Sequence, residues 1–210
     1  MKKFGLAVLF CLIMMVVPMV ESAEAAVMND LVVAPTADIV SRQSALAFEV
    51  HTGYKYEVEF VYRMDPRLEL GGVFSLYEPE YIANRVGPAV KYNFMQEGPN
   101  QPAISAGIKN RDLYVVMSMH LLDNLRAHAG IGDGRYNSLF IGFNTVYNPG
   151  QVEIGDVDSD QTATPPVNFM FEYVNRRVNC GARINLDQNM YIDLGLLNFE
   201  DFKAGFSYAF

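Results

Sequence analysis

The chain has 210 residues, with 16 Lys and Arg against 24 Asp and Glu, and a net charge of −8. This acidic balance leaves no basic stripe and excludes nucleic acid as a partner. After residue 26 no apolar run is long enough for a transmembrane helix. Yet only 19% of residues are charged and 12% are aromatic, all of them Phe or Tyr. That composition suits a surface facing lipid, and a lipid-embedded chain without apolar helices closes its backbone hydrogen bonds as a barrel.

At the N-terminus, Lys2 and Lys3 precede an uncharged apolar run from Phe4 to Val20. Ala23-Glu24-Ala25 before Ala26 then fits a small-residue cleavage site, so residues 1–25 read as a cleaved signal peptide. Cys11 lies within the apolar run, in a poor context for lipid attachment. Only Cys180 remains after processing, so no intrachain disulfide is expected. In residues 26–44, Pro35, Thr36 and Asp38 break any pattern, and the segment reads as a periplasmic lead-in.

From residue 45 the period is two. Leu46, Phe48 and Val50 alternate with Ala47, Glu49 and His51, and Tyr56, Val58, Phe60 and Tyr62 alternate with Glu57, Glu59 and Val61. The pattern repeats along the chain to Met190, Ile192, Leu194 and Leu196, which oppose Tyr191, Asp193 and Gly195. Twelve strands are counted, each about long enough to cross a bilayer at a tilt. The fold expected is a closed antiparallel up-and-down transmembrane barrel over residues 45–210. Ten strands are the alternative if the first pair forms a plug or stays unpaired. The segment 148–166, rich in Asp, Gly, Thr and Pro, falls on the periplasmic side of a twelve-strand barrel, where turns are usually short.

The last strand carries Phe202, Ala204, Phe206, Tyr208 and Phe210 on one face and Asp201, Lys203, Gly205, Ser207 and Ala209 on the other. The run from Lys203 through Gly205 and Tyr208 to Phe210 resembles the C-terminal signal of outer-membrane barrels. That resemblance implies the bacterial outer membrane, with its lipid and the barrel-assembly machinery as partners. The stretch from Tyr114-Val115-Val116 through Arg126-Ala127-His128-Ala129-Gly130-Ile131-Gly132 to Leu139-Phe140-Ile141-Gly142 resembles YjbH-type barrels. Its implication is a role accessory to exopolysaccharide or lipid export.

With the large apolar face outward, charges of both signs fill the lumen, which therefore is not a one-sign ion filter. Asp193 falls diagonal to Lys203 and to Arg183, predicting a Lys203–Asp193–Arg183 network. Glu172, Arg126 and His128 join the same lumen set. The functions that fit are a structural barrel or a narrow pore for small polar solutes. A soluble ligand-binding barrel is the further alternative. Ser118 and His120 could suggest a serine lipase, but both point inward with no evident Asn partner, so no catalytic residue is assigned and no enzyme is expected. Asp156-Val157-Asp158-Ser159-Asp160 opens like a calcium loop but lacks its Gly and closing Glu, and the His residues are scattered. Neither metal nor cofactor is expected.

Overall fold

The computed structural model describes residues 30–52, 55–77, 84–148 and 165–210. The signal-peptide reading of residues 1–25 and the acidic run at 156–160 lie outside them. Twelve strands follow in chain order: β1 (Ser44–His51), β2 (Lys55–Asp65), β3 (Leu68–Tyr77), β4 (Arg85–Met95), β5 (Ala103–Lys109) and β6 (Asp112–Leu122). The second half continues with β7 (Leu125–Gly132), β8 (Ser138–Tyr147), β9 (Val167–Val174), β10 (Arg177–Asn185), β11 (Met190–Leu197) and β12 (Asp201–Ala209). Each pairs antiparallel with its sequence neighbour, and β1 pairs with β12 to close the barrel. The closing ladder runs from Ala45 opposite Ala209 to His51 opposite Lys203. The first pair therefore belongs to the wall, and the ten-strand alternative falls.

Period two is realised as two different surfaces. Leu46, Phe48, Phe60, Phe74, Val115, Ile141, Phe143, Phe202 and Phe206 point outward and are exposed. Glu57, Ser75, Ser105, Ser118, Glu172 and Ser207 point inward and are buried. A closed barrel leaves no unpaired edge, so an apolar outer surface is compatible with lipid.

Ser44 and Phe210 mark one end of the barrel, the lower rim. Tyr147, which ends β8, and Val167, which begins β9, also lie at that end, as the strand count requires. Three β-bulges, at Arg63/Asp65, Asn93/Met95 and His120/Leu122, sit near the lower rim as well. Three of the upper-rim turns, at Asn110, Asn175 and Asn198, are tight and led by Asn. Asn175 and Arg176 have φ of 49° and 61°, and Asn198 and Phe199 have 52° and 56°. Two successive left-handed residues match the twist of a hairpin, and Asn tolerates that region better than most side chains.

Residues 30–43 correct the expectation of a periplasmic lead-in. They enter the lumen and run down it toward β1 at the lower rim. Leu31, Val32, Ala34, Ala37 and Val40 are each at most 3% exposed. Pro35 prevents this segment from extending the sheet, so its backbone polar groups must find partners on the wall. The wall also makes room for it: a Cβ on Gly142 would stand 2.2 Å from Leu31 Cδ1, and one on Gly195 2.8 Å from Val32 Cγ1.

Candidate functional site: a plugged lumen and its vestibule

The lower half of the plug is held by wall side chains from β2 to β7. Ser118 on β6 accepts the Ala37 N–H at 2.8 Å. The Ala37 carbonyl accepts from Asn93 Nδ2 at 2.9 Å and Ser105 Oγ at 2.6 Å. Lys91 Nζ donates to the Asp38 carbonyl at 3.0 Å, and the Val40 N–H donates to Glu69. Arg63 reaches the carbonyls of Val40 and Ser41 at 3.1 and 2.8 Å. Arg126 pairs with the Asp38 carboxylate and, at 2.7 Å, with Glu97 in the connection between β4 and β5.

Higher in the lumen, Glu172 on β9 takes the Val33 and Ala34 N–H groups on one carboxylate oxygen, at 3.1 and 2.8 Å. Its other oxygen accepts from Asn179 Nδ2 at 2.7 Å. Lys203 on β12 donates to the Val32 carbonyl at 2.8 Å and to Glu49 on β1 at 2.6 Å. The bonds to Val32, Val33 and Ala34 satisfy plug groups that would otherwise be buried without a partner.

Above the plug the lumen opens into a cavity of about 500 Å³ at the upper rim, with Asp30, Val32 and Val33 among its lining residues. Six Lys and Arg side chains line it against four Asp and Glu, an excess of two positive charges in a chain of net −8. Most are paired: Lys55 with Glu57 at 2.6 Å, Arg135 with Asp112 at 2.7 Å, and Lys109 with Asp30. Arg135, in the turn after β7, is half-buried, which would lower its pKa, but Glu57 and the other groups around it hold it above the ordinary arginine value. Among the described residues, Arg85 and Arg111 have no carboxylate partner, and Arg85 lies 5.9 Å from the Tyr77 ring centroid.

The Lys203–Asp193–Arg183 network is formed in part. Arg183 and Asp193 stand directly opposite each other rather than diagonally, with Nε 2.5 Å from Oδ1. Lys203 lies diagonal to Asp193, because it pairs with Gly195, but its ion-pair partner is Glu49. The register that the turn lengths suggest thus differs by two residues between β10 and β11. Gly205 lies opposite Glu49 and Asp193 on its two neighbouring strands. Tyr208 and Phe210 face outward with ring centroids 6.0 Å apart.

Ser118 has a different partner from the one weighed in the sequence. His128, not His120, lies beside it, with Nδ1 2.7 Å from Oγ. His128 Nε2 is 2.7 Å from Asn144 Oδ1, and Asn144 Nδ2 donates to Asn168 Oδ1 at 3.1 Å. Cross-strand pairing brings these residues together: Ser118 is opposite His128, and Arg126, two residues before His128, is opposite Asn144. A Ser–His–Asn chain has the connectivity of a nucleophile relay. This one is buried beneath the plug, and its Oγ is engaged by the Ala37 N–H, so it orders an anchor. His120 is exposed and bonds Glu97 at 2.9 Å.

The glycines behind the YjbH-type likeness have a packing reason. A Cβ on Gly130 would stand 2.2 Å from Phe140 Cζ, and one on Gly132 2.9 Å from Tyr136 Cδ2. Tyr136 and Phe140 are fully buried, their ring centroids 5.6 Å apart. The glycines admit aromatic rings into a narrow lumen.

No protein-family model matches the sequence, and no curated protein matches it. Among solved structures the chain is similar to the KdgM porin, with 13% identity and a TM-score of 0.50, over 80% of this chain and 98% of that one. A second structure, the KdgM porin in complex with disordered oligogalacturonate, matches with 13% identity and a TM-score of 0.50, over 80% of this chain and 99% of that one. These likenesses extend to the twelve-strand fold, and they give no support to the YjbH-type resemblance.

Proposed function

We propose that the protein is an outer-membrane barrel that admits small anionic solutes from its upper rim into the vestibule. The observation that carries this reading is the excess of two positive charges around the cavity of about 500 Å³, set in an otherwise acidic chain. Like charges lining a low-dielectric cleft focus the field and raise the local concentration of a counter-charged solute. The outward Phe, Tyr, Leu and Ile side chains favour lipid outside, and the closed ladder satisfies the backbone in lipid. On this reading the lower rim faces the periplasm, and the terminal strand engages the assembly machinery. The structural likeness to a porin is in keeping with it.

Planar-bilayer recording in a KCl gradient tests the proposal. A reversal potential on the anion side is expected, and cation selectivity would overturn it. A purely structural barrel is the second reading, favoured by the plug, which fills the lower lumen. Complete absence of conductance under all voltages would decide for that alternative. A soluble barrel is disfavoured because its apolar face would have to turn inward.

A further inference from the structure

Two carboxylates meet one ammonium group beside the vestibule. Lys109 Nζ lies 2.6 Å from Glu59 Oε2 and also bonds Asp30 Oδ2. Glu59 and Lys109 both belong to the wall, on β2 and β5, whereas Asp30 belongs to the plug. If Asp30 withdraws, Lys109 and Glu59 remain a balanced pair, so the wall is left without an orphaned charge. Asp30 also lines the cavity, so its carboxylate would move into a polar space rather than an apolar one. It thus occupies the place that a carboxylate arriving through the vestibule would take.

The head of the plug is built to move as one piece. Asp30 bridges to Pro35, and the Leu31 N–H donates to the Ala34 carbonyl at 2.8 Å. This closed turn carries both N–H groups that Glu172 holds. A displacement at Asp30 is therefore transmitted to the Glu172 contact.

We propose that Lys109 is the centre of an anion-binding site, that Asp30 is its built-in competitor, and that a small carboxylate displacing Asp30 unseats the plug head. The proposal rests on the vestibule being the entry for anionic solutes. It adds that the solute itself loosens the obstruction below, through Asp30.

The test is thiol labelling of the full chain in detergent micelles, in a Cys180→Ala background. Ala34, the site of Ala34→Cys, is fully buried within the plug head, and Ala37→Cys provides a second position lower down. A neutral maleimide is the reagent, and sodium gluconate is compared with sodium chloride plus sorbitol at equal ionic strength. Gluconate is expected to accelerate labelling of Ala34→Cys. Asp30→Asn is expected to raise the rate without gluconate about tenfold, the worth of one charge-assisted bond, and to abolish the gluconate response. Asp30→Glu keeps the charge and is expected to retain the response. Heat-modifiable mobility on gels confirms that each variant is folded. A parental labelling rate in Asp30→Asn, or a gluconate response that survives in it, overturns the competitor role. Labelling reports the plug whether or not current flows. A barrel that responds to gluconate but is cation-selective or silent in bilayers overturns the anion pathway and leaves the Asp30 assignment standing.

Discussion

The two halves of the plug are held by different chemistry. Below, Ala37 to Ser41 are fixed by many neutral and charged bonds from β2 to β7, reaching backbone groups one by one. Above, Asp30 to Ala34 hang on three charged wall groups, Lys109, Glu172 and Lys203. Two of these have other ion-pair partners on the wall: Glu59 for Lys109 and Glu49 for Lys203. Glu172 is the exception, since its bonds go to two plug amides and Asn179, with no cation on it among the described residues. The difference separates a foot that is part of the folded barrel from a head that can leave without stranding charges on most of the wall.

Three substitutions or conditions sharpen that contrast. Arg126→Ala has the largest expected effect, because it leaves Asp38 and Glu97 without their shared guanidinium. A loss of about 3 kcal/mol is expected from breaking a largely buried pair, measured by urea unfolding of the barrel in micelles. If Arg126→Ala unfolds at the parental urea concentration, the lower half is no firmer than the upper. Glu172→Gln is expected to act on the head alone. The substitution removes a buried carboxylate that has no ion-pair partner among the described residues while weakening two amide contacts, so barrel stability is expected to stay within about 1 kcal/mol. Labelling of Ala34→Cys should nevertheless accelerate while that of Ala37→Cys does not. Equal acceleration at both positions would show one rigid plug and end the division.

The smallest effect is a pH dependence at the lower rim. Partial burial pushes the Glu97 carboxyl up, but the His120 N–H bond and the Arg126 guanidinium outweigh it and hold it below the usual glutamate value. A carboxyl lowered in the folded state stabilises it at neutral pH, and that contribution is lost as pH falls from the ordinary glutamate range through the lowered value. Glu97→Gln should therefore flatten the acid limb of the stability profile and leave the limb above pH 7 unchanged. An acid limb identical to that of the parent would remove Glu97 from the account.

Much of the wall was legible because a β-barrel writes itself in period two. The outward set beginning at Leu46, Phe48 and Phe60 and the inward set of Glu57, Glu172, Arg183, Asp193 and Lys203 follow from alternation alone. The cross-strand partners did not follow. Ser118 meets His128 and Asn144 because β6, β7 and β8 pair in one register, and that register depends on turn lengths and on a bulge at His120/Leu122. A shift of two residues exchanges direct for diagonal neighbours on the same face, which is why counting from the turn places Asp193 diagonal to Arg183 whereas it stands opposite it.

The plug was hidden for a related reason. Residues 30–43 carry no period, since Pro35 and small apolar residues serve neither a strand nor a helix. Their wall partners are 19 to 171 positions away, from Tyr62 bonding Gln43 to Lys203 bonding Val32. A signal did exist in Gly142, Gly181 and Gly195, glycines on inward-facing positions whose missing side chains leave space for Leu31 and Val32. By itself the sequence determined the barrel, its apolar outer face and the mixed charge of its lumen, because side-chain alternation is a local property of each strand. Only the tertiary structure decided that the lumen is filled from within and that Lys109 is already paired with Asp30 of the plug. Those outcomes depend on closure, which brings Asp30, Glu59 and Lys109 to one place from three distant parts of the chain.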